Sequence, residues 1–148
     1  MSPTELLAYP ESAEAFWVGQ AELAAERVGD EALERLTPAV AHLSDLFTTE
    51  RPDRKFPDYF ADPRLLAAYG VFFLPQSFTR ASFALAQICG LRGWRPSTAT
   101  PAILDLGCGP GSCGVAAAHR LRQSGIGGIQ LTGVDKSPSA SATKPLNA

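Results

Sequence analysis

The stretch ILDLGCGPGSCG, Ile103 to Gly114, places Gly107, Gly109, Gly111 and Gly114 within eight positions directly after an apolar run. Glycines so closely spaced let the backbone turn sharply and lie against a ligand where a Cβ would collide. On either side the patterning is equally clear. AILDLG reads as a short apolar strand, GSCGVAAAHRLRQ as a helix, SG as its stop and IQLTGVD as a second strand. Strand, glycine turn, helix and strand in that order form the building block of parallel α/β sheets.

The region before this unit reads as helical. Trp17, Ala21, Ala24 and Val28 recur at helical spacing, with Gly19 expected to interrupt or weaken the helix. Leu36, Val40, Leu43 and Phe47 continue the rhythm, and Pro38 within it predicts a fresh helix capped by Thr37. RPDRKFPDYFADP reads as a loop, and Asp62 and Pro63 as the cap and first turn of a helix over RLLAAYGVFF that Pro75 should stop. QSFTRASFALAQICG predicts one more helix, with Phe78, Ala81, Leu85, Ile88 and Cys89 along one side. The expected organisation is a helical region over 1–98, an α/β portion over 99–138 and a disordered Ser/Ala/Pro/Lys tail over 139–148.

With 148 residues and 45% hydrophobic content, the chain has the composition of a globular protein with a real core. It has no apolar run of membrane-spanning length and its start lacks the pattern of a signal peptide, so the expectation is a cytoplasmic protein without membrane contact. Cys89, Cys108 and Cys113 then read as reduced thiols, and their spacing with His42 and His119 matches no zinc pattern, so no metal is expected. Residues 1–62 carry 13 acidic and 5 basic side chains, whereas 63–148 carry 2 acidic and 8 basic. The basic half is a candidate surface for nucleic acid, although dispersed charges more simply read as ordinary solvated faces.

Which ligand suits the turn follows from its side chains. A phosphate-binding P-loop needs Lys and Ser/Thr after the last glycine, where this chain has Val115 and Ala116. The dinucleotide pattern G-x-G-x-x-G matches Gly109, Gly111 and Gly114, with Asp135 following 21 residues later, but it leaves Asp105 and Gly107 without a role.

Read one register earlier, Asp105-Leu106-Gly107-Cys108-Gly109-Pro110-Gly111 resembles the first motif of class I S-adenosylmethionine-dependent methyltransferases, and LTGVDKSPSA resembles the segment that follows it in those enzymes. DPRLLAAYGVFFLPQSFTR and the LDLGCGPGS strand further resemble bacterial relatives of the ribosomal small-subunit methyltransferase family associated with mitochondrial ribosome assembly. The resemblance implies S-adenosyl-L-methionine as cofactor, held by Asp105, Gly107, Cys108, Gly109, Gly111, Asp135 and Lys136. Asp105 would attract the cationic ammonium end and Asp135 would accept both ribose hydroxyls. It also implies ribosomal RNA or a ribosomal subunit as partner, and a fold in which the helical region precedes the first β-α-β of a Rossmann-like methyltransferase sheet.

Two visible strands cannot cover both faces of such a sheet. The chain therefore reads as a truncated, N-terminal portion of the enzyme, completed by a missing C-terminal portion or by another chain, with weak cofactor binding at most and no turnover of its own. No side chain is assigned as catalytic. Tyr69, Leu74, Pro75 and Phe78 are candidates to close over the cofactor, with Gln76 and Arg80 as polar contacts, although core packing explains the aromatics more simply. The alternatives are a non-catalytic ribosome-assembly or RNA-binding module and an NAD(P)-binding oxidoreductase.

Overall fold

A computed structural model describes residues 8–48, 58–90 and 96–139; the expected tail beyond Ser139 lies outside them. The protein is mostly helical with a small two-stranded parallel sheet, and so α/β. It divides into two compact units, Pro10–Leu74 and Pro75–Ala148 with Met1–Tyr9.

In the first unit, α1 (Glu11–Ala25) and α2 (Gly29–Thr48) precede a 3-10 turn (Tyr59–Ala61), α3 (Pro63–Ala68) and a π-helical turn (Tyr69–Phe73). Ala21, Leu36, Leu43, Leu46, Ala67 and Ala68 form its buried core. Phe47, Tyr59, Phe60, Tyr69 and Phe73 meet beside it, largely edge to face. Trp17 is fully buried, and its indole fills the space that a side chain on Gly70 would take.

Several local expectations are corrected here. Gly19 does not interrupt α1, since one glycine costs a helix only about 1 kcal/mol and the face of Ala13, Trp17, Ala21 and Ala25 repays it. Val28 lies outside that helix and is exposed. No fresh helix begins at Pro38: it sits inside α2 on the solvent side, where water can reach the Glu34 carbonyl that it leaves without a donor.

The real break between α1 and α2 is a Schellman turn. The Arg27 N–H donates to the Glu22 carbonyl at 3.2 Å, and Glu26 occupies the left-handed position at φ 54°. A side chain is costly there, so Glu26→Gly is expected to stabilise the protein by about 1 kcal/mol in chemical denaturation; an unchanged midpoint would contradict it.

Asp62 caps α3 as expected, accepting from the Arg64 N–H at 2.8 Å with Pro63 at the first position. Pro75, however, does not stop the helix. Its ring would press on a carbonyl of the preceding turn, and the wider π turn before it, closed by the Leu74 N–H on the Tyr69 carbonyl, relieves that crowding. Helical geometry continues as α4 (Leu74–Gly90).

The second unit contains most of α4 with β1 (Ala102–Leu106), α5 (Ser112–Gln123) and β2 (Gln130–Val134). The strands pair in parallel, Leu104 opposite Thr132 and Asp105 opposite Gly133. Helix α5 packs on both strands, and Ala116, Ala118 and Leu121 are buried along it. Gly125, at φ 79°, ends it in a second Schellman turn, the Ile126 N–H donating to the Leu121 carbonyl at 3.0 Å. Leu104, Leu106 and Val134 are exposed. On α4, Phe78 and Ser82 are the fully buried positions, while Ile88 is exposed rather than in the expected apolar stripe. No helix among the described residues is long and apolar enough to cross a membrane.

Phe78 stacks obliquely on His119 of α5, whose Nε2 meets the Gln123 amide at 3.0 Å. Burial lowers the imidazole pKa below its ordinary 6.5, and the neighbouring Arg122 lowers it further. The unfolded chain therefore takes up this proton more readily than the folded one. This contribution to stability is complete above pH 6.5 and declines as pH falls towards the lowered folded value. Thermal melts between pH 7.5 and about 5 should fall less steeply for His119→Gln than for the parent; parallel curves would count against the assignment.

Candidate functional site

The glycine turn begins where β1 ends, and three consecutive amides fasten it to the end of β2. The N–H groups of Gly107 and Cys108 donate to the Val134 carbonyl at 2.7 and 3.2 Å, and that of Gly109 donates to Asp135 Oδ2 at 2.8 Å. Asp135 Oδ1 accepts from the Ser137 N–H, also at 2.8 Å. One carboxylate thus ties the turn to the segment after β2. The glycines make this path possible: Gly107, Gly109 and Gly111 take φ of 70°, 50° and 98°, where a side chain would be strained.

Gly111 is the N-cap of α5 and has no side chain with which to satisfy the helix's first amides. Asp105 supplies that cap from β1, its Oδ2 accepting from the Gly114 N–H at 2.7 Å. A negative charge here is favoured by the helix dipole. The approach is close: a Cβ on Gly114 would stand 2.7 Å from Leu131 Cδ1 and 2.9 Å from Asp105 Oδ2.

Of the residues expected to hold a ligand, Asp105, Gly107, Cys108, Gly109, Gly111 and Asp135 come together at the carboxyl ends of the two strands. Lys136 follows Asp135 and is exposed. Cys108 packs its sulfur over Gly133, where a Cβ would come within 2.8 Å of it. The roles of Gly133 and Ser137 carried no signal in the sequence, because a glycine inside a strand and a serine after it are unremarkable by themselves.

Beside the turn lies an open cleft of about 310 Å³. Ala81, Ala84 and Leu85 of α4, Ile103 to Asp105 of β1, and Cys113, Gly114 and Ala117 of α5 line it. The candidate lid residues of α4 in this unit, Pro75, Gln76, Phe78 and Arg80, are not in its wall. Phe78 instead meets Tyr9 edge to face. Two alanines and Leu85 at helical spacing, rather than the aromatics, form the α4 side. Among the described residues no group of three His, Cys, Asp or Glu side chains is placed to hold a metal ion.

No family model, curated protein or solved structure matches the chain.

Proposed function

We propose that this chain carries the cofactor-binding start of a class I S-adenosylmethionine-dependent methyltransferase, with a Rossmann-like sheet of which β1 and β2 are two strands. The observation that carries this reading is where the turn spends its amides. A loop built for phosphate keeps its N–H groups and the helix N-terminus for the anion. Here Gly109 and Gly114 give theirs to Asp135 and Asp105. A phosphate brought to the same amides would meet a like charge; two unit charges roughly 5 Å apart at an effective dielectric of 20 repel by about 3 kcal/mol. A nucleoside with a cationic substituent meets no such penalty.

The residues present fit that cofactor. Each Asp135 oxygen accepts one N–H, which leaves the carboxylate acceptor sites for two ribose hydroxyls. A Cβ on Gly107 would meet nothing within 4 Å, so the space over this part of the turn is free for an adenosine or methionine portion. The Asp105 carboxylate supplies the charge that favours an ammonium group. Bound there, the cofactor would supply an electrophilic methyl group, and the chain's own part is to orient it and shield it from water. Ribosomal RNA or a ribosome-associated target as the methyl acceptor rests on the sequence resemblance and on the basic half of the chain.

One observation favours a nicotinamide dinucleotide instead: Gly114 permits the close helix-to-strand approach that the third glycine of G-x-G-x-x-G provides. Ligand-observed NMR separates the two. Saturation transfer from the protein is expected to S-adenosylmethionine and not to NAD at equal concentration; the reverse would establish the dinucleotide reading.

A further inference from the structure

We infer that the free edge of β1 and the cleft beside it form an acceptor for one more β-strand, an uncharged apolar segment of another polypeptide laid against β1. This goes beyond the reading of the turn and does not depend on which ligand the turn takes.

The unpaired edge follows from the hydrogen bonds of the sheet. The Gln130 N–H donates to the Pro101 carbonyl at 3.0 Å and the Gly107 N–H to the Val134 carbonyl at 2.7 Å, one at each end of the β1–β2 ladder. Bonding residues alternate along a strand of a parallel ladder, so Ile103 and Asp105 turn their amides and carbonyls to β2. Those of Ala102, Leu104 and Leu106 point the other way, where the sheet ends and no group among the described residues answers them. Edges that stay open are commonly blunted by a lysine, a proline or a bulge, and AILDL has none of these.

The surfaces around this edge are equally incomplete. Ala81, Ala84 and Leu85 of α4 face β1 across the open cleft of about 310 Å³, and Ile88, next on the same helical stripe, is 42% exposed. Leu104 and Leu106 are exposed on the sheet itself. A strand added to β1 would bond its main chain to Ala102, Leu104 and Leu106. Its alternate side chains would enter the cleft between α4 and α5, and the others would join Leu104 and Leu106. Apolar residues would then meet both of its faces, as in a fully buried strand. A helix laid there would leave the edge unanswered, because its own amides and carbonyls are spent internally. Charge narrows the occupant further. The cleft wall holds one carboxylate, Asp105, and no cation, so it disfavours an acidic segment. It equally disfavours a second copy of this chain, since β1 paired with itself through its even-numbered residues would bring a second Asp105 to the cleft side.

Hydrogen exchange of the full 15N-labelled chain tests the edge without any substitution. The Leu104 and Leu106 amides are expected to be at least about ten-fold less protected than those of Ile103 and Asp105 at every protein concentration. Equal protection at all concentrations overturns the inference, because the edge is then already covered. Protection that grows with protein concentration overturns it in favour of a second copy. The binding probe is an end-blocked peptide, Lys-Lys-Val-Ala-Val-Ala-Val-Lys-Lys, expected to bind with a Kd below about 1 mM and to slow exchange at Leu104 and Leu106. Replacing both of its alanines by proline, which cannot donate to the edge, should weaken binding at least about ten-fold. In the protein, Ala84→Glu at the exposed rim of the cleft should weaken it by at least about ten-fold, and Phe83→Glu, exposed but outside the cleft wall, by less than about three-fold. Absence of binding, equal binding of the proline peptide, or equal losses in the two variants overturns the inference.

Discussion

Gly70→Ala should be among the most damaging single substitutions in the chain, lowering stability by about 3 kcal/mol or more and leaving much of the protein unfolded at 37 °C. The added Cβ would lie inside the van der Waals envelope of the Trp17 indole, with Cε3, Cδ2 and Cζ3 all too near. Neither partner can yield easily. Trp17 is 1% exposed, its ring is a rigid plate, and Gly70 sits in a π turn bounded by α3 and α4. Overpacking of a closed core typically costs about 1–3 kcal/mol, and a backbone pressed against an aromatic ring lies at the upper end. Urea denaturation followed by tryptophan fluorescence measures it directly. As a control, Gly19→Ala in α1 has open space around its Cβ and should be neutral or slightly stabilising. If Gly70→Ala matches Gly19→Ala, the packing described for Trp17 is wrong.

Asp135→Ala should have the largest effect on ligand binding, removing measurable binding of S-adenosylmethionine. Two hydrogen bonds from ribose hydroxyls to a carboxylate, at about 1.5 kcal/mol each, correspond to a loss of roughly 100-fold. The same substitution leaves the Gly109 and Ser137 N–H groups without their acceptors, and should lower stability by about 1–2 kcal/mol. Binding and stability therefore have to be measured together, by NMR titration and by denaturation below the transition. A variant that stays folded and binds as well as the parent would remove Asp135 from the site. Asp135→Asn is informative as a companion: one end of its amide would present a donor to a backbone N–H, so its stability should fall as well.

The sequence carried the α/β unit at near-residue accuracy because its signals are local. A run of apolar residues, four glycines, an amphipathic segment and Gly125 each act over a few positions, and β1, α5, its end and β2 fall where these predict. The prolines misled because their effect depends on surroundings. Pro38 is tolerated on a solvent face, and Pro75 is accommodated by a π turn that periodicity does not announce. Glu26 in a left-handed position was illegible for the same reason, since the turn there is closed by backbone hydrogen bonds and not by a turn residue.

At the site, the glycines and both aspartates were legible as a group, but their division of labour was not. Asp105 and Asp135 were expected to face a ligand. In the structure each holds a backbone amide of the turn, a contact between residues 9 and 26 positions apart that no local pattern encodes. The α4 wall was likewise hidden, because Ala81 and Ala84 look like ordinary helix formers until β1 and α5 are placed beside them.

If the turn receives a nucleoside bearing a positive charge, its own amides should register the ligand. A 15N-glycine spectrum of the whole chain, titrated with S-adenosylmethionine and separately with NAD, tests this without any substitution. Saturable shifts of the Gly107, Gly109 and Gly111 amides are expected with S-adenosylmethionine, small or absent shifts with NAD, and no change at Gly19 or Gly70. Shifts of the turn glycines with NAD and none with S-adenosylmethionine would contradict the nucleoside reading.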